Sequence, residues 1–155
     1  MGGSTFVEMK NIYESLSLGG KAEIRRVSLP EEIIEVSAFY HLLPEGVHKS
    51  RLRQLARITY LLPWLSHEDG KPLGKTLFQN GIREERLHQI IRSPFPQDLV
   101  CLRRLAQRCT RENNNGVDWG ELGKTLFYWN ERGKHEILRS YFLAKFGDKI
   151  VPNEK

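Results

Sequence analysis

The sequence predicts an all-α protein, a bundle of about eight or nine helices. Apolar residues recur at intervals of three and four along nearly the whole chain, and no segment shows the alternation of an exposed strand. Proline and glycine divide this pattern into short segments. Hydrophobic residues make up 39% of the 155 residues, enough for a core. We therefore expect either one undivided domain over 1–155 or two small lobes, an N-terminal one (1–66) and a C-terminal one (67–150), that share a core.

The N-terminal part of the chain predicts three helices. Apolar residues at helical spacing cover 6–18, and Gly19-Gly20 should end that helix. A short helix should follow over 21–27. Ser28 is a typical N-cap residue, so the third helix should start there and continue to a break near Pro44.

The middle of the chain predicts three more helices. A strongly amphipathic helix should start at Ser50, its cap, and end or kink at Pro63, which lacks a backbone N–H. A polar loop over 67–71 should then lead to short helices over 72–80 and 82–92.

The C-terminal third predicts three helices after a rigid connector over 93–96, which contains two prolines. The segment 97–111 has the clearest amphipathic pattern in the chain. Helices should follow over 118–130, capped by the first residue, and over 134–146. The tail after Gly147 is expected to fray.

Positive charge is concentrated in the middle of the chain. The net charge is +5, from 24 Lys and Arg against 19 Asp and Glu. From Lys49 to Arg111 there are 13 basic and 5 acidic residues, and 10 of those basic residues are Arg. Arginine suits forked contacts with phosphate and stacking on bases. The pattern favours a nucleic-acid partner, and a solvated surface is the alternative.

Two Gly-Lys-Thr triplets do not form phosphate loops. Such a loop needs another glycine five residues before the one in the triplet, after a strand, but Asp69 and Asp118 occupy those positions. The triplets belong to a longer repeat, Leu-Gly-Lys-Thr-Leu-Phe, at 73–78 and 122–127. The repeat indicates either a duplicated helix pair or a coincidence of helix-forming composition.

The sequence favours a protein that is not an enzyme and binds neither metal nor cofactor. His67-Glu68-Asp69 offers metal ligands, but consecutive residues in a loop are more typical of a solvated turn. Cys101 and Cys109 lie about 12 Å apart along one helix, too far for a disulfide, and their pattern places them in the core. No stretch approaches the roughly 20 apolar residues of a membrane span. We expect a cytoplasmic protein.

Helical geometry separates the arginines into faces. Within 97–111, Arg104, Arg108 and Arg111 fall together opposite the apolar side. Arg103 lies at the margin of the apolar side, where a structural role and a ligand contact are both open. Arg53 and Arg57 are neighbours at i, i+4 and are expected to face away from the core.

Several aromatic residues could stack on bases, although their helical spacing is more typical of core positions. They are Tyr60, Trp64, Trp119, Tyr128 and Trp129. Trp119 follows the capping position 118 and most resembles a packing anchor.

Blocks of residues in order over 12–146 resemble the CasB family, the small subunit of the type I-E CRISPR Cascade complex. The matching blocks are Ala22-Glu-Ile-Arg-Arg-Val-Ser28, Pro30-Glu-Glu32, Ala38-Phe-Tyr40 with Leu42, Leu73-Gly-Lys75, Glu85-Arg86, Gln89-Ile-Ile-Arg92, Leu102-Arg-Arg-Leu105, and Asp118-Trp119 with Leu126, Trp129 and Arg132. The chain departs from the pattern at Gly81 and Glu85, where the family often has arginine.

The resemblance implies a non-catalytic, all-helical subunit that stabilises the R-loop between guide RNA and target DNA in antiviral defence. The implied partners are guide RNA, target DNA including its displaced strand, other Cascade subunits and a second copy of the chain. A scaffold that contacts proteins and little nucleic acid is the alternative.

The expected contacts are with the nucleic-acid backbone and come from two sources. By motif position they are Arg26, Arg86, Arg92, Arg104 and Arg132, with Arg57 and Lys124 at further basic positions and Arg51 and Arg53 in a loosely aligned stretch. Arg108 is added because it shares a helix face with Arg104.

Overall fold

The computed structural model of the protein describes residues 1–150, and the all-α prediction is confirmed within them. These residues form nine α-helices, four 3₁₀ turns and two very short strands. The helices are α1 (Gly3–Ser15), α2 (Leu18–Arg26), α3 (Ser37–Tyr40), α4 (Leu52–Leu61), α5 (Leu73–Gln79), α6 (Glu84–Arg92), α7 (Gln97–Arg111), α8 (Trp119–Phe127) and α9 (Glu131–Lys145). The 3₁₀ turns are Pro30–Glu35, Lys49–Arg51, Leu62–Trp64 and Gly147–Lys149.

Buried apolar side chains from all nine helices form one continuous cluster. Trp119 is the largest fully buried side chain, and its indole Nε1–H donates to the Leu65 carbonyl at 2.9 Å. Its predicted role as a packing anchor is confirmed. The division into lobes at residue 66 stays a prediction.

The start of the chain folds differently from the prediction. Helix α2 runs through Gly19-Gly20, where a helix end was predicted. The break falls earlier, because the Ser17 hydroxyl accepts the Gly20 amide N–H at 3.1 Å and caps a new helix. A side-chain cap therefore outweighs the low helix propensity of two glycines.

The predicted third helix is a 3₁₀ turn followed by the single turn of α3. Ser28 does not act as the cap. Instead the Glu32 carboxylate accepts the amide N–H groups of Ser28 at 2.7 Å and Leu29 at 3.1 Å, which lowers the pKa of Glu32. Before α4 the cap is His48, whose Nδ1 accepts the Ser50 amide N–H at 3.1 Å, and not Ser50.

A parallel β-bridge, absent from the sequence prediction, joins the two halves of the chain. Strand β1 (Ser66–His67) pairs with β2 (Gly116–Val117), with Ser66 opposite Gly116. Two residues per strand are too few for an alternating pattern, so the sequence carries no signal for them. Each strand precedes one copy of the Leu-Gly-Lys-Thr-Leu-Phe repeat.

The last helices shift by a few residues from their predicted bounds. Asp118 caps α8 as predicted, its Oδ1 accepting the Gly120 amide N–H at 2.9 Å. Asn130, predicted inside this helix, is the cap of α9, its Oδ1 accepting the Gly133 amide N–H at 2.9 Å. The tail, expected to fray after Gly147, forms a 3₁₀ turn to Lys149, and 151–155 lie outside the described residues.

The repeated glycines are sites of close helix crossing. A Cβ at Gly74 would collide with the backbone of α9 at Ile137 and Tyr141. A Cβ at Gly123 would collide with the Phe6 ring on α1. In both copies of the repeat, the glycine allows another helix to approach closely. This packing role explains the Gly-Lys-Thr triplets, and no phosphate-binding role is needed.

We predict that Gly74→Ala destabilises the protein by about 1–3 kcal/mol, because the new methyl group meets rigid backbone. The exposed helical Gly19, whose Cβ would meet only the Ser17 hydroxyl at 4.0 Å, is the matched control. Gly19→Ala should instead stabilise by about 0.5–1 kcal/mol through helix propensity. Urea unfolding of both variants measures the difference in the free energy of unfolding. Equal stabilities would contradict the close contact between α5 and α9 at Gly74.

Candidate nucleic-acid interface

An open cleft of about 290 Å³ lies between α6 and α7, and four arginines line it. They are Arg86, Arg104, Arg108 and Arg111, and we call them the arginine cleft. Three come from α7, where spacing at i, i+4 and i+7 places them on one face, while Leu102 and Leu105 point into the core. The predicted face of 97–111 is thus observed, and Arg86 joins it from α6.

The four guanidinium groups of the arginine cleft form no ion pair with any acidic group in residues 1–150. All four side chains are exposed. The cleft also contains Gln89, Gln107 and Cys101, none of which carries negative charge. Four like charges in one concave surface attract anions and favour groups with several acceptor oxygens, such as phosphates.

Arg53 and Arg57 line a second, smaller pocket of about 250 Å³ beside the connector between α6 and α7. Arg53 is exposed, but Arg57 is half-buried. The Arg57 Nη1 donates to the carbonyls of Leu126 at 3.2 Å and Phe127 at 3.0 Å, which satisfies the end of α8. Burial lowers the pKa of Arg57 and nearby Asp98 raises it. Arg57 therefore has a structural role that its helix position did not predict.

The five remaining candidates line neither of these clefts. They are Arg26, Arg51, Arg92, Lys124 and Arg132. Each is exposed, and none forms an ion pair within residues 1–150. Arg92 is the last residue of α6, directly before the connector that leads into α7, and Arg132 lies in the first turn of α9.

A buried network holds that connector in place. The Lys134 Nζ lies 2.9 Å from Asp98 Oδ2 and donates to the Ser93 carbonyl at 2.9 Å. The Trp129 indole N–H donates to the same carboxylate at 2.9 Å. The Asp98 and Lys134 side chains are only 1% and 5% exposed. This Asp98–Lys134 network joins the start of α7 to α9. It therefore helps to set the orientation of α7, the helix that carries three of the four cleft arginines.

Arg103 has a structural role. Its guanidinium donates to the carbonyls of Val27 and Ser28 and lies 4.3 Å from the centroid of the Tyr60 ring. The Tyr60 hydroxyl donates to the same Ser28 carbonyl at 2.8 Å. These contacts anchor the end of α2, which carries Arg26, beside α7.

The structure brings Asp118 next to His67 and Asp69, with potential ligand atoms within 4.8 Å of one another. Their hydrogen bonds account for the cluster. His67 Nδ1 accepts the Trp119 amide N–H at 3.1 Å, so Nε2 carries the proton toward Asp69 at 2.7 Å. Asp118 accepts the amide N–H groups of Gly70 and Gly120, each at 2.9 Å. The three side chains close the loop between β1 and α5.

Both cysteines are free thiols, as predicted, and their environments differ. Cys109 is fully buried, which raises its pKa to about 11. Cys101 is half-buried and lines the arginine cleft. Among residues 1–150, no helix has the length and apolar character that crossing a membrane requires.

These features define a class of protein: a small helical bundle with an arginine-lined face whose charges are not neutralised within residues 1–150. Residues 20–142 match the model of the CRISPR-associated protein Cse2 family, and the chain belongs to that family. The predicted resemblance is confirmed.

Two relatives agree with the family match. The chain is 32% identical over 146 residues to the CRISPR system Cascade subunit CasB of Escherichia coli K12, covering 85% of this chain and 89% of the relative. It also superposes on a chain of the crystal structure of E. coli Cascade bound to a PAM-containing double-stranded DNA target, with a TM-score of 0.78 and 32% identity. That match covers 88% of this chain and 95% of the other.

The sequence prediction omitted two features of this surface. Arg111 was placed on the correct helix face but not among the expected contacts, although its i+7 spacing from Arg104 carries the signal. Phe95 was read only as part of a connector. It is 42% exposed beside Arg57, and no helical periodicity marks it.

We predict that Lys134→Met destabilises the protein by about 3–5 kcal/mol, because it leaves the buried Asp98 carboxylate without its cation. The exposed pair between Arg139 and Glu136 is the control, and Arg139→Met should cost no more than about 1 kcal/mol. Urea unfolding measures both changes. A similar small loss in both variants would show that the network is not essential to the fold.

We predict that alkylation by iodoacetamide at pH 8 modifies Cys101 and spares Cys109. With a pKa of about 11, Cys109 has only about one thiolate in a thousand at that pH, and its thiol is also shielded. Mass spectrometry of the native and the urea-unfolded protein identifies the modified residue. Equal rates of alkylation of the two cysteines in the native protein would contradict the burial of Cys109 on the core side of α7.

Proposed function

We propose that this protein is a non-catalytic small subunit of a Cascade-type CRISPR complex and that it grips the nucleic-acid backbone. In antiviral defence it would stabilise the R-loop of guide RNA and target DNA, including the displaced strand. The observation that carries the proposal is the arginine cleft, four exposed guanidinium groups without acidic partners among residues 1–150. Family membership and the relative named as a Cascade subunit support it.

The cleft suits phosphates, because most of its polar lining consists of exposed guanidinium groups. Successive arginines on the same face of α7 are one turn apart, about 5–6 Å, close to the interval at which a nucleic-acid backbone presents its charges. Guanidinium forks fit phosphate oxygens in two-point contacts. Backbone contacts position a strand without discriminating between sequences. Such a grip serves a complex whose guide RNA already reads the target.

Small contributions suffice for this role. R-loop formation replaces a DNA duplex by a heteroduplex of similar stability, so the exchange is nearly balanced. A few backbone contacts from one subunit shift that balance toward the open state. The exposed Arg92 at the end of α6, Arg132 at the start of α9 and Arg26 at the end of α2 would add further backbone contacts outside the cleft.

Protein partners are also part of the proposal, namely other Cascade subunits and a second copy of this chain. A groove of about 250 Å³ between α5, α8 and α9 contains Asp118, Glu121 and Glu136. Asp118 caps α8 and Glu136 pairs with Arg139, so Glu121 is the carboxylate of this groove that has no ion pair or capping role among residues 1–150, and its charge favours a basic protein segment over DNA. It is the observation that supports a scaffold role as the second candidate function.

We predict that Arg86→Glu combined with Arg104→Glu lowers the affinity of the assembled complex for target DNA at least tenfold, because two phosphate contacts become repulsive. The control combines Arg139→Glu with Lys75→Glu, exposed residues outside the cleft, and gives the same change in net charge. Gel-shift titration measures affinity, and size-exclusion chromatography checks assembly.

Three results would favour different conclusions in that experiment. Lost affinity with intact assembly supports the backbone grip. Lost assembly with unchanged affinity of the remaining complexes supports the scaffold. Equal losses in the cleft variant and its control would mean that only net charge matters, and the cleft would lose its role.

We predict no cleavage of DNA or RNA above background when the purified protein is incubated with Mg²⁺ or Mn²⁺. Denaturing gels of end-labelled substrates measure this. Cleavage that follows the protein through purification and disappears in a folded variant of the arginine cleft would contradict a non-catalytic role.

A further inference from the structure

The pocket beside the connector has a composition unlike that of the arginine cleft. Its apolar lining residues are Pro30, Ile34, Ala56 and Phe95. Its volume of about 250 Å³ is below the roughly 300–1,000 Å³ of sites that enclose a complete small molecule. The pocket is therefore suited to one flat ring system that remains attached to a larger molecule outside.

The backbone on both sides of Phe95 is held in position, although its ring is exposed. The Ser93 carbonyl accepts from Lys134, and Asp98 pairs with the same ammonium, so both ends of the connector are fixed by the buried network. The Arg57 guanidinium lies 5.8 Å from the centroid of the Phe95 ring. A single exposed apolar side chain is ordinary. An exposed aromatic ring beside a guanidinium, among the residues that line a pocket, is the composition of a stacking site.

Charge complementarity identifies the occupant. Arg53 borders the pocket, is exposed, and has no acidic partner within 4 Å among residues 1–150. It can bind a phosphate at the pocket entrance. Glu31, also at the border, can accept hydrogen bonds from N–H groups on a base edge. Apolar walls, a stacking ring, a cation and an acceptor together match one nucleotide.

We propose that this pocket receives one unstacked base of single-stranded nucleic acid, with its ring against Phe95 and its phosphate at Arg53. The inference rests on the proposed function, because it requires a strand already held by the backbone. Position 96 lies about 12 Å along the α7 axis from Arg104, so along this axis the pocket and the arginine cleft are only a few nucleotides apart. Stacking of this base would add a non-electrostatic contact to a strand that the arginine cleft binds through its phosphates.

The experiment compares two single-stranded oligonucleotides of about 12 nucleotides, within the range of single-strand binding sites. One has normal bases, and the other has the same phosphates with abasic positions throughout. Fluorescence anisotropy with the full chain gives the ratio of their affinities. The wild type should bind the normal strand at least about fivefold more tightly, as expected for base stacking on an aromatic ring.

The variants Phe95→Ala and Phe95→Leu should lose this preference while still binding both strands in a salt-sensitive manner. Leucine preserves apolar bulk without an aromatic face, so it separates stacking from general hydrophobic contact. Phe146→Ala is the matched control, because Phe146 is similarly exposed at 39% but lies beyond the end of α9, outside the pocket. It should keep the wild-type ratio.

Each other outcome overturns the inference in a recognisable way. If Phe95→Ala keeps the wild-type ratio, no base occupies the pocket, and the backbone grip stands. If Phe95→Ala keeps the ratio but weakens assembly with other subunits, the pocket is a protein contact. If the wild type binds neither strand in a salt-dependent manner, the proposed function fails, and this inference fails with it.

Discussion

The buried ion pair between Asp98 and Lys134 is the interaction on which the functional surface depends. It lies where the connector after α6 meets the starts of α7 and α9, and it also satisfies the Trp129 indole and the Ser93 carbonyl. A charged pair excluded from water has strict geometric requirements, so it specifies one arrangement of these elements. The angle between α6 and α7, and with it the arginine cleft, follows from that arrangement.

The distribution of ion pairs separates structural cations from exposed ones. Within residues 1–150, the acidic groups pair almost entirely with lysine and histidine, and the exception is the pair of Arg139 with Glu136. The two arginines with internal roles, Arg57 and Arg103, bind backbone carbonyls instead. Among the lysine pairs, only Lys134 with Asp98 has both side chains buried, while the arginines of the cleft remain exposed. The fold thus leaves most of its arginines without acidic partners among residues 1–150.

Sequence reasoning succeeded where one helix decided the outcome. The bounds of α7 and the shared face of Arg104 and Arg108 follow from local periodicity, and the structure agrees. It failed where tertiary contacts or caps decide: the pairing of β1 with β2, and the start of α2 before Gly19-Gly20. Arg86 was among the expected contacts only through the resemblance, and its place beside α7 was not predicted, because no spacing within one helix reports on a neighbouring helix.

The salt dependence of single-strand binding tests the central claim most directly. Each backbone phosphate contact on a single strand contributes about −0.7 to the slope of log affinity against log salt concentration, so engagement of three or four arginines predicts a slope between about −2 and −3. Neutral substitutions at Arg104 and Arg108 should leave one or two phosphate contacts and reduce the slope to between about −0.7 and −1.4. A slope near zero, or one that these substitutions leave unchanged, would contradict the grip on phosphate.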